Sequence, residues 1–478
     1  MKIRATAMVV AACGLLAACT STPPAADPRP APSAPADLAA GLSEPVADPV
    51  YPDLGNPGTD VLHYGLSLSY EPDARVLKGH AVITVRATGD ASSLRLDLAE
   101  TMKVSAVTAD GRAVEHRHTG NDLEIVVPVT TNAVVVLAVD YAGEPTRAPA
   151  PASRGDMTEG VGMSVGPNGA VWTFQEPYGA FTWYPVNDQP SDEALYDITA
   201  SVPEGWTGVA TGVPSGEETT GGRHVTQYHS ADPVASYVVT FAVDRFVRID
   251  GGETDGGAPI VSWVRENSRS AWEPILATIG DKVAWLEKRY GPYPFAHTGV
   301  VAVGGESGME TQGTITLSDG IANVPKEAEA VLLHELAHQW YGDAVTPSDW
   351  RGVWLNEGMA TFVQAQWVSD MGGETLDAAI ARWRGMDARM RTSYGPPGSY
   401  RPGDFASGNV YYCPALMLAE IRARMGEAPF EAMMRDWVQQ QRNTHQDRAS
   451  FTAWVVERGG TDMRVLIDTW LDSPTTPA

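Results

Sequence analysis

The segment His334-Glu335-Leu336-Ala337-His338 holds the residue types best placed to do chemistry. Histidines spaced i and i+4 stand one above the other on a helix face, so both imidazoles can reach one ion. Glu335 lies about 100° round the same helix, beside such an ion and not opposite it. Downstream, Trp354-Leu355-Asn356-Glu357-Gly358 offers a further carboxylate, Glu357, from a separate element. Two neutral nitrogens and one carboxylate oxygen, with a fourth position open, make a catalytic zinc site. The reading is one zinc ion per chain, held by His334, His338 and Glu357, with Glu335 as the general base for a water. A bare H-E-x-x-H also arises by chance as a satisfied pair of core histidines. Here Val331, Leu332, Leu333, Leu336, Trp340 and Tyr341 are apolar at helical spacing, so the helix is expected to be buried along most of its girth. Imidazoles and carboxylates in so apolar a setting need a counter-charge, and a dication supplies it.

The elements that must position these groups fall into two domains, the natural division for 478 residues. From Leu62 the pattern has period two: Leu62, Tyr64, Leu66, Leu68 and Tyr70, then Ala81 to Ala87, then Leu94, Leu96 and Leu98. Asp110-Gly111 is a hairpin signal, and Val135 to Val139 reads as another strand. Residues 59–252 are therefore expected to form an antiparallel β domain. Residues 253–476 follow as a mainly helical domain. Within it, Trp272 to Tyr290 predicts one amphipathic helix, stopped by Gly291-Pro292-Tyr293-Pro294-Phe295. Thr298 to Val303 predicts a strand, and the chain after Leu416 predicts short helices. Pro414 suits the first turn of a helix, which places a helix start just before it.

The N-terminus carries Lys2 and Arg4, a short apolar run from Ala5 to Ala18, and then Leu16-Ala17-Ala18-Cys19. That pattern predicts a lipoprotein signal over 1–18 with lipid added at Cys19, or else an ordinary secretory signal. The expected location is outside the cell membrane or in the periplasm, anchored by the lipid, or secreted if Cys19 is not used. Residues 19–58, rich in Pro and Ala, are expected to be a disordered tether. Processing would leave Cys413 as the remaining thiol, so no intrachain disulfide is expected. A net charge of −25 argues against nucleic acid as a partner. No signal in the sequence specifies an oligomeric state.

His334-Glu-Leu-Ala-His-Gln-Trp-Tyr-Gly-Asp343 and Trp354-Leu-Asn-Glu-Gly-Met-Ala-Thr-Phe362 resemble the core of the aminopeptidase N and leukotriene hydrolase family of gluzincin zinc metallopeptidases. The resemblance runs from about Leu62 to the end, in a short form without the family's large C-terminal helical domain. It implies a saddle-like N-terminal β domain, a thermolysin-like catalytic domain, and a cleft more open than in longer relatives. Gly308-Met309-Glu310 resembles the family's G-x-M-E-N motif, an edge on which a peptide adds as a strand, with Thr311 in place of asparagine. Thr173 to Ala180 resembles the segment that aims a carboxylate at the substrate amine, which selects Glu176. Phe174 and Gln175 stand in the reverse of the usual order, leaving either neighbour as its helper. Tyr411-Tyr412-Cys413-Pro414-Ala415-Leu416-Met417-Leu418 matches Y-x-K-G-A-x-x-L, which selects Tyr411 for the oxyanion, with Tyr412 one register away.

These resemblances imply a zinc aminopeptidase acting on peptides with a free N-terminus. Glu176 and Glu310 would bind the α-ammonium, and Gly308 and Met309 the peptide backbone. The alternatives are an endopeptidase using the same zinc, an epoxide hydrolase, and a non-catalytic peptide-binding lipoprotein. Nothing in the sequence marks a lipid channel, and a binding module has no need of Glu335.

Overall fold

The computed structural model describes residue 34 and residues 37–152, 157–305 and 307–477. The alternating segments become an eight-stranded sheet in the order Val213–Thr220, Arg223–Ala235, Glu193–Pro203, Thr59–Glu71, Val76–Ala87, Val134–Gly143, Lys103–Ala109 and Arg112–Ala113. Neighbours are antiparallel except Thr59–Glu71 with Glu193–Pro203, which run parallel. At the expected hairpin Asp110 and Gly111 have φ of +49° and +74°. Positive φ at both central residues matches the turn's twist to that of its strands. A four-stranded sheet pairs Gly162–Val165 with Val171–Phe174, and its remaining strands are Phe241–Asp244 and Thr207–Ala210. It delivers Trp172 and Phe174 to the face that meets the second domain.

Two expectations about boundaries are corrected. The strand Phe246–Glu253 was assigned by sequence to the β domain ending at 252, yet it pairs with Pro259–Arg265. That hairpin is the edge of the catalytic domain's five-stranded sheet, so the division between domains falls near Arg245. The tether expected over 19–58 is also not all tether. From Ser43 the chain lies on the body: Ser43 Oγ donates to Glu193 O at 3.1 Å, and Gly55 N donates to Asp97 Oδ2 at 2.8 Å. Short polar side chains there satisfy backbone groups, which composition alone does not register. The signal segment 1–18 and Cys19 lie outside the described residues. Among the described residues no helix is long and apolar enough to cross a membrane.

The catalytic domain opens with the sheet Phe246–Glu253, Pro259–Arg265, Gly299–Val303, Thr314–Ser318 and Gly308–Met309, in that spatial order. Gly308–Met309 is therefore an edge, paired on one side with Thr314–Ser318. Nine α-helices follow among the described residues: α1 (Arg269–Leu276), α2 (Ile279–Tyr290), α3 (Pro325–His338), α4 (Val353–Asp370), α5 (Leu376–Tyr394), α6 (Gly408–Met425), α7 (Glu427–Gln441), α8 (Arg448–Gly459) and α9 (Asp462–Asp472). The single helix expected over Trp272 to Tyr290 is thus two. Thr278 ends the first, because both its N–H and its hydroxyl donate to Ile275 O. The helix start expected just before Pro414 is likewise corrected, since α6 begins at Gly408. Asn409 anchors that earlier start by donating to Gly395 O at 3.0 Å. Pro414 then sits inside the helix, where it has no N–H to offer the carbonyl of Val410.

Gly358 explains how α4 and α6 come so close. A Cβ on Gly358 would lie 2.7 Å from both Cβ and Cγ of Pro414, so the proline ring fills the space the glycine leaves. This contact sets the distance between Glu357 on α4 and Tyr411 on α6. Gly358→Ala is expected to push the helices apart and cost about 1–3 kcal/mol of stability, the usual range for overpacking. Thermal unfolding measures the loss.

Candidate active site and metal centre

Helix α3 is locked by Leu332, Leu333, Leu336 and Ala337, all fully buried, and this fixes the rotation of His334, Glu335 and His338. The helix gives way at Gln339–Asp343, where Tyr341 leaves helical geometry and Gly342 takes φ of +138°. Only glycine adopts that conformation without strain. The turn brings Tyr341 O to 3.0 Å from His338 Nδ1. With Nδ1–H donating there, Nε2 presents its lone pair to the site. His334 is steadied in the same way by the side chain of Gln364 on α4, which also donates to Ala330 O.

Glu357 enters from the first turns of α4. His334 Nε2 lies 3.1 Å from His338 Nε2 and 3.2 Å from Glu357 Oε2, and His338 Nε2 lies 3.5 Å from that same oxygen. Zinc bonds to nitrogen and oxygen of about 2.1 Å in a tetrahedron put ligand atoms about 3.4 Å apart. The three residues therefore fit zinc, and among the described residues they are the one such group.

The electrostatics lead to the same ion. Burial would discharge His338, yet the carboxylates of Glu310, Glu357 and Glu335 outweigh it and push its pKa well above the ordinary value. Burial lowers the pKa of His334. Burial also opposes charge on Glu357, but hydrogen bonds from His334 and His338 hold its carboxyl well below the usual range. Glu310 is pushed up by burial and by Glu357. Asp343 is pushed well up by burial and by Glu310. So many acids round two imidazoles leave an excess of negative charge that a proton on His338 offsets only in part.

The remaining selected residues gather round this centre in one cleft of about 710 Å3, lined by Glu176, Gly308, Met309, Glu310, Glu335 and Tyr411 among others. Gly308 lies against Glu335: a Cβ there would stand 2.8 Å from its Oε1. Glu310 is 4% exposed, and its Oε1 has no hydrogen-bond partner among the described residues. Its backbone is held by Gln339, the residue that follows α3, whose Nε2 donates to Glu310 O at 2.9 Å. Thr311 faces inward, its hydroxyl bonded to Thr314 O and Thr316 Oγ1, so it does not supply an asparagine-like contact to the cleft. Gln175 is turned into the β domain, donating to Ser236 O and Val239 O and accepting from Trp183 Nε1. Phe174 is the neighbour of Glu176 that lines the cleft. The Tyr411 ring stacks on His334, with centroids 6.1 Å apart at 20°, whereas Tyr412 leans on Trp383 at 6.2 Å.

Several contributors were not singled out by sequence reasoning. Gln339 links the end of α3 to Glu310 O beside the Gly308–Met309 edge, and Asp343 accepts its Nε2 at 2.7 Å. Tyr237 donates to Gly342 O at 2.7 Å and accepts from Asn356 at 3.2 Å, tying the β domain to the turn after α3 and to α4. Thr361 and Gln364 follow Glu357 at i+4 and i+7, a spacing that does mark them as sharing its face.

Zinc must displace the proton that the raised pKa keeps on His338, while His334 is already neutral and Glu357 already ionised. Zinc binding to metal-free protein at pH 7 is therefore expected to release about one proton. Affinity should rise with pH until His338 has lost its proton. Titration calorimetry in buffers of different ionisation enthalpy counts the protons, and release of none would contradict the assignment.

The family model described as the peptidase family M1 domain matches residues 277–470. The probable M1 family aminopeptidase 1 of Encephalitozoon cuniculi is 25% identical over 362 residues, which cover 68% of this chain and 41% of its own length. Human aminopeptidase N is 28% identical over 199 residues, 38% of this chain and 20% of its own. The chain thus spans less than half the length of these curated relatives. Among solved structures, an M1 zinc metallopeptidase from Deinococcus radiodurans matches with a TM-score of 0.80 and 26% identity, over 91% of this chain and 98% of that one. A two-domain M1 zinc metallopeptidase bound to L-tryptophan gives 0.83, also at 26% identity, over 91% and 99%. With the family's domain model matching its second domain, M1 zinc metallopeptidase structures matching both domains, and a zinc-fitting triad in its cleft, the chain is similar to the zinc metallopeptidases of peptidase family M1.

Proposed function

We propose that the chain is a zinc-dependent aminopeptidase that hydrolyses the N-terminal peptide bond of peptides. The observation that carries this is the meeting, in one cleft, of the metal triad and Glu335 with two further carboxylates, Glu176 and Glu310. A free α-amine is mostly protonated near neutral pH. Glu310, buried with an unpartnered oxygen, and Glu176 opposite it in sequence and domain are suited to take that ammonium through charge-assisted bonds. A related M1 zinc metallopeptidase from Deinococcus radiodurans was solved with a Tyr-Ser-Ala substrate, which supports peptides as the substrate class here.

The substrate backbone adds to the Gly308–Met309 edge through main-chain hydrogen bonds. This directs the first peptide bond past Glu335, next to Gly308. Zinc held by His334, His338 and Glu357 would supply Lewis acidity, polarising the scissile carbonyl and making a water more acidic. The Glu335 carboxylate takes the proton from the attacking water and passes it to the leaving amine nitrogen. The Tyr411 hydroxyl donates to the oxyanion that develops on the scissile carbonyl. The signal pattern ending at Cys19 supports export as a lipoprotein tethered outside the cell membrane.

Glu335→Ala is expected to keep stoichiometric zinc and lose about 10²- to 10⁴-fold in kcat, the range for general-base catalysis. Aminoacyl fluorogenic substrates with and without chelator, together with metal analysis, give both readings. Equal cleavage of free and N-acetylated peptides by the wild type would favour the endopeptidase reading. For the anchor, Cys19→Ala is expected to move the protein from the membrane fraction to the soluble one, as followed by fractionation of expressing cells.

A further inference from the structure

The segment expected to be a tether instead crosses the seam between the domains beside the amine-binding loop. On the β-domain side, Ser43 Oγ accepts from Glu193 N at 3.0 Å, Val46 N donates to Ser191 Oγ at 3.0 Å, and Asn56 N donates to Asn187 Oδ1 at 2.6 Å. On the catalytic side, Glu44 O lies 3.1 Å from His445 Nε2, and Trp350 N donates to Asp48 Oδ2 at 3.3 Å. Asp48 is 4% exposed, and its other oxygen accepts from Val50 N at 2.7 Å, which shapes the bend before Tyr51.

Tyr51 sits where this segment meets the Glu176 loop. Its ring meets Tyr178 edge-on at 5.1 Å and Phe405 at 6.2 Å, and its hydroxyl donates to Pro402 O at 3.3 Å. Tyr178 belongs to the β domain and follows Glu176 by two residues, whereas Phe405 and Pro402 belong to the catalytic domain. The two flanks of the loop are pinned within the β domain, Gln175 by Ser236 O and Val239 O, and Gly179 N by Asp188 Oδ2 at 2.9 Å. Between these pins stands Tyr178, two residues from Glu176, whose hydroxyl donates to Pro149 O at 3.2 Å and whose ring Tyr51 connects to the second domain. Burial raises the Tyr51 hydroxyl pKa, and Tyr178, Asp48 and the charge of Glu176 add to the rise, as their proximity requires.

We propose that residues 43–56 form a strap holding the Glu176 loop in register with the metal centre, with Tyr51 as the positioning residue for recognition of the substrate's α-ammonium. The inference rests on the aminopeptidase reading and adds to it. Glu176 comes from one domain and Glu310 from the other, so their separation depends on the seam staying closed. A strap bonded to both sides fixes that separation before substrate arrives. A recognition group displaced by even a fraction of an ångström loses much of its contribution.

The test uses full-length, zinc-loaded protein and aminoacyl fluorogenic substrates. Tyr51→Ala is expected to raise KM about tenfold while kcat changes less than about twofold, the pattern of lost binding and not of lost chemistry. Tyr51→Phe keeps the ring and should retain a wild-type KM. In a Glu176→Gln background, Tyr51→Ala should raise KM no further, because its effect passes through Glu176. An unchanged KM in Tyr51→Ala, a loss confined to kcat, or a full additional rise in the Glu176→Gln background would overturn the proposal. If Tyr51→Ala does not fold, Tyr51→Leu keeps apolar bulk without the ring edge and carries the same expectations. A wild type that cleaves no free-amine substrate would instead refute the aminopeptidase reading, a result separate from a wild-type-like Tyr51→Ala.

Discussion

Charge compensation in a buried site is the constraint on which the rest of this structure depends. Glu310, Glu335, Glu357 and Asp343 surround two imidazoles in a region where desolvation penalises every ionised group. A divalent cation resolves the conflict, and the fold is arranged to present it with fixed ligands. Apolar residues of α3 set the helix rotation, Tyr341 O and Gln364 orient the rings, and Gly358 lets α4 bring Glu357 close. Each of these is inexpensive locally, and together they leave the ligand atoms little room to relax away from the ion.

The second constraint is that the acidic lining of the cleft is divided between domains. Glu310 directly follows the edge strand of the second domain's sheet, and Glu176 lies on a loop of the β domain. Interfaces between domains of one chain usually permit relative motion. Here they are closed by buried polar ties: Tyr237 reaches Gly342 and Asn356, Gln312 Nε2 donates to Pro233 O, and Thr346 bonds Glu193. The strap over residues 43–56 lies across the same seam. The β domain therefore serves as part of the wall of the cleft, held against the second domain by these ties.

The metal centre was legible because spacing on a helix encodes a face. His334, Glu335 and His338 needed no tertiary information, and Thr361 and Gln364 carried the same periodic signal without being singled out. The β strands were legible from alternation, down to the two-residue turn at Asp110-Gly111. What could not be read depended on partners far away in the chain. Phe246–Glu253 alternates like its predecessors, and only its pairing with Pro259–Arg265 assigns it to the catalytic domain. Residues 43–56 have a linker's composition and fold because Asp48, Ser43 and Tyr51 find partners more than a hundred residues away. Pro414 looked like a helix start because local rules place proline there, whereas Gly358 makes room for it in the interior. The notch itself is a property of two helices together.

On the proposed aminopeptidase reading, the place of Gly308 has a consequence for where a bound peptide would be cut. This residue is at once the first rung of the edge strand and close enough to Glu335 that a Cβ on it would lie 2.8 Å from Oε1. Sliding an extended peptide by one residue shifts it about 3.3 Å and turns every side chain to the opposite face. The distance from rung to base thus works as a ruler, measuring along the main chain whatever side chains it carries. On the proposed reading, the cut site would be a matter of registration along the main chain.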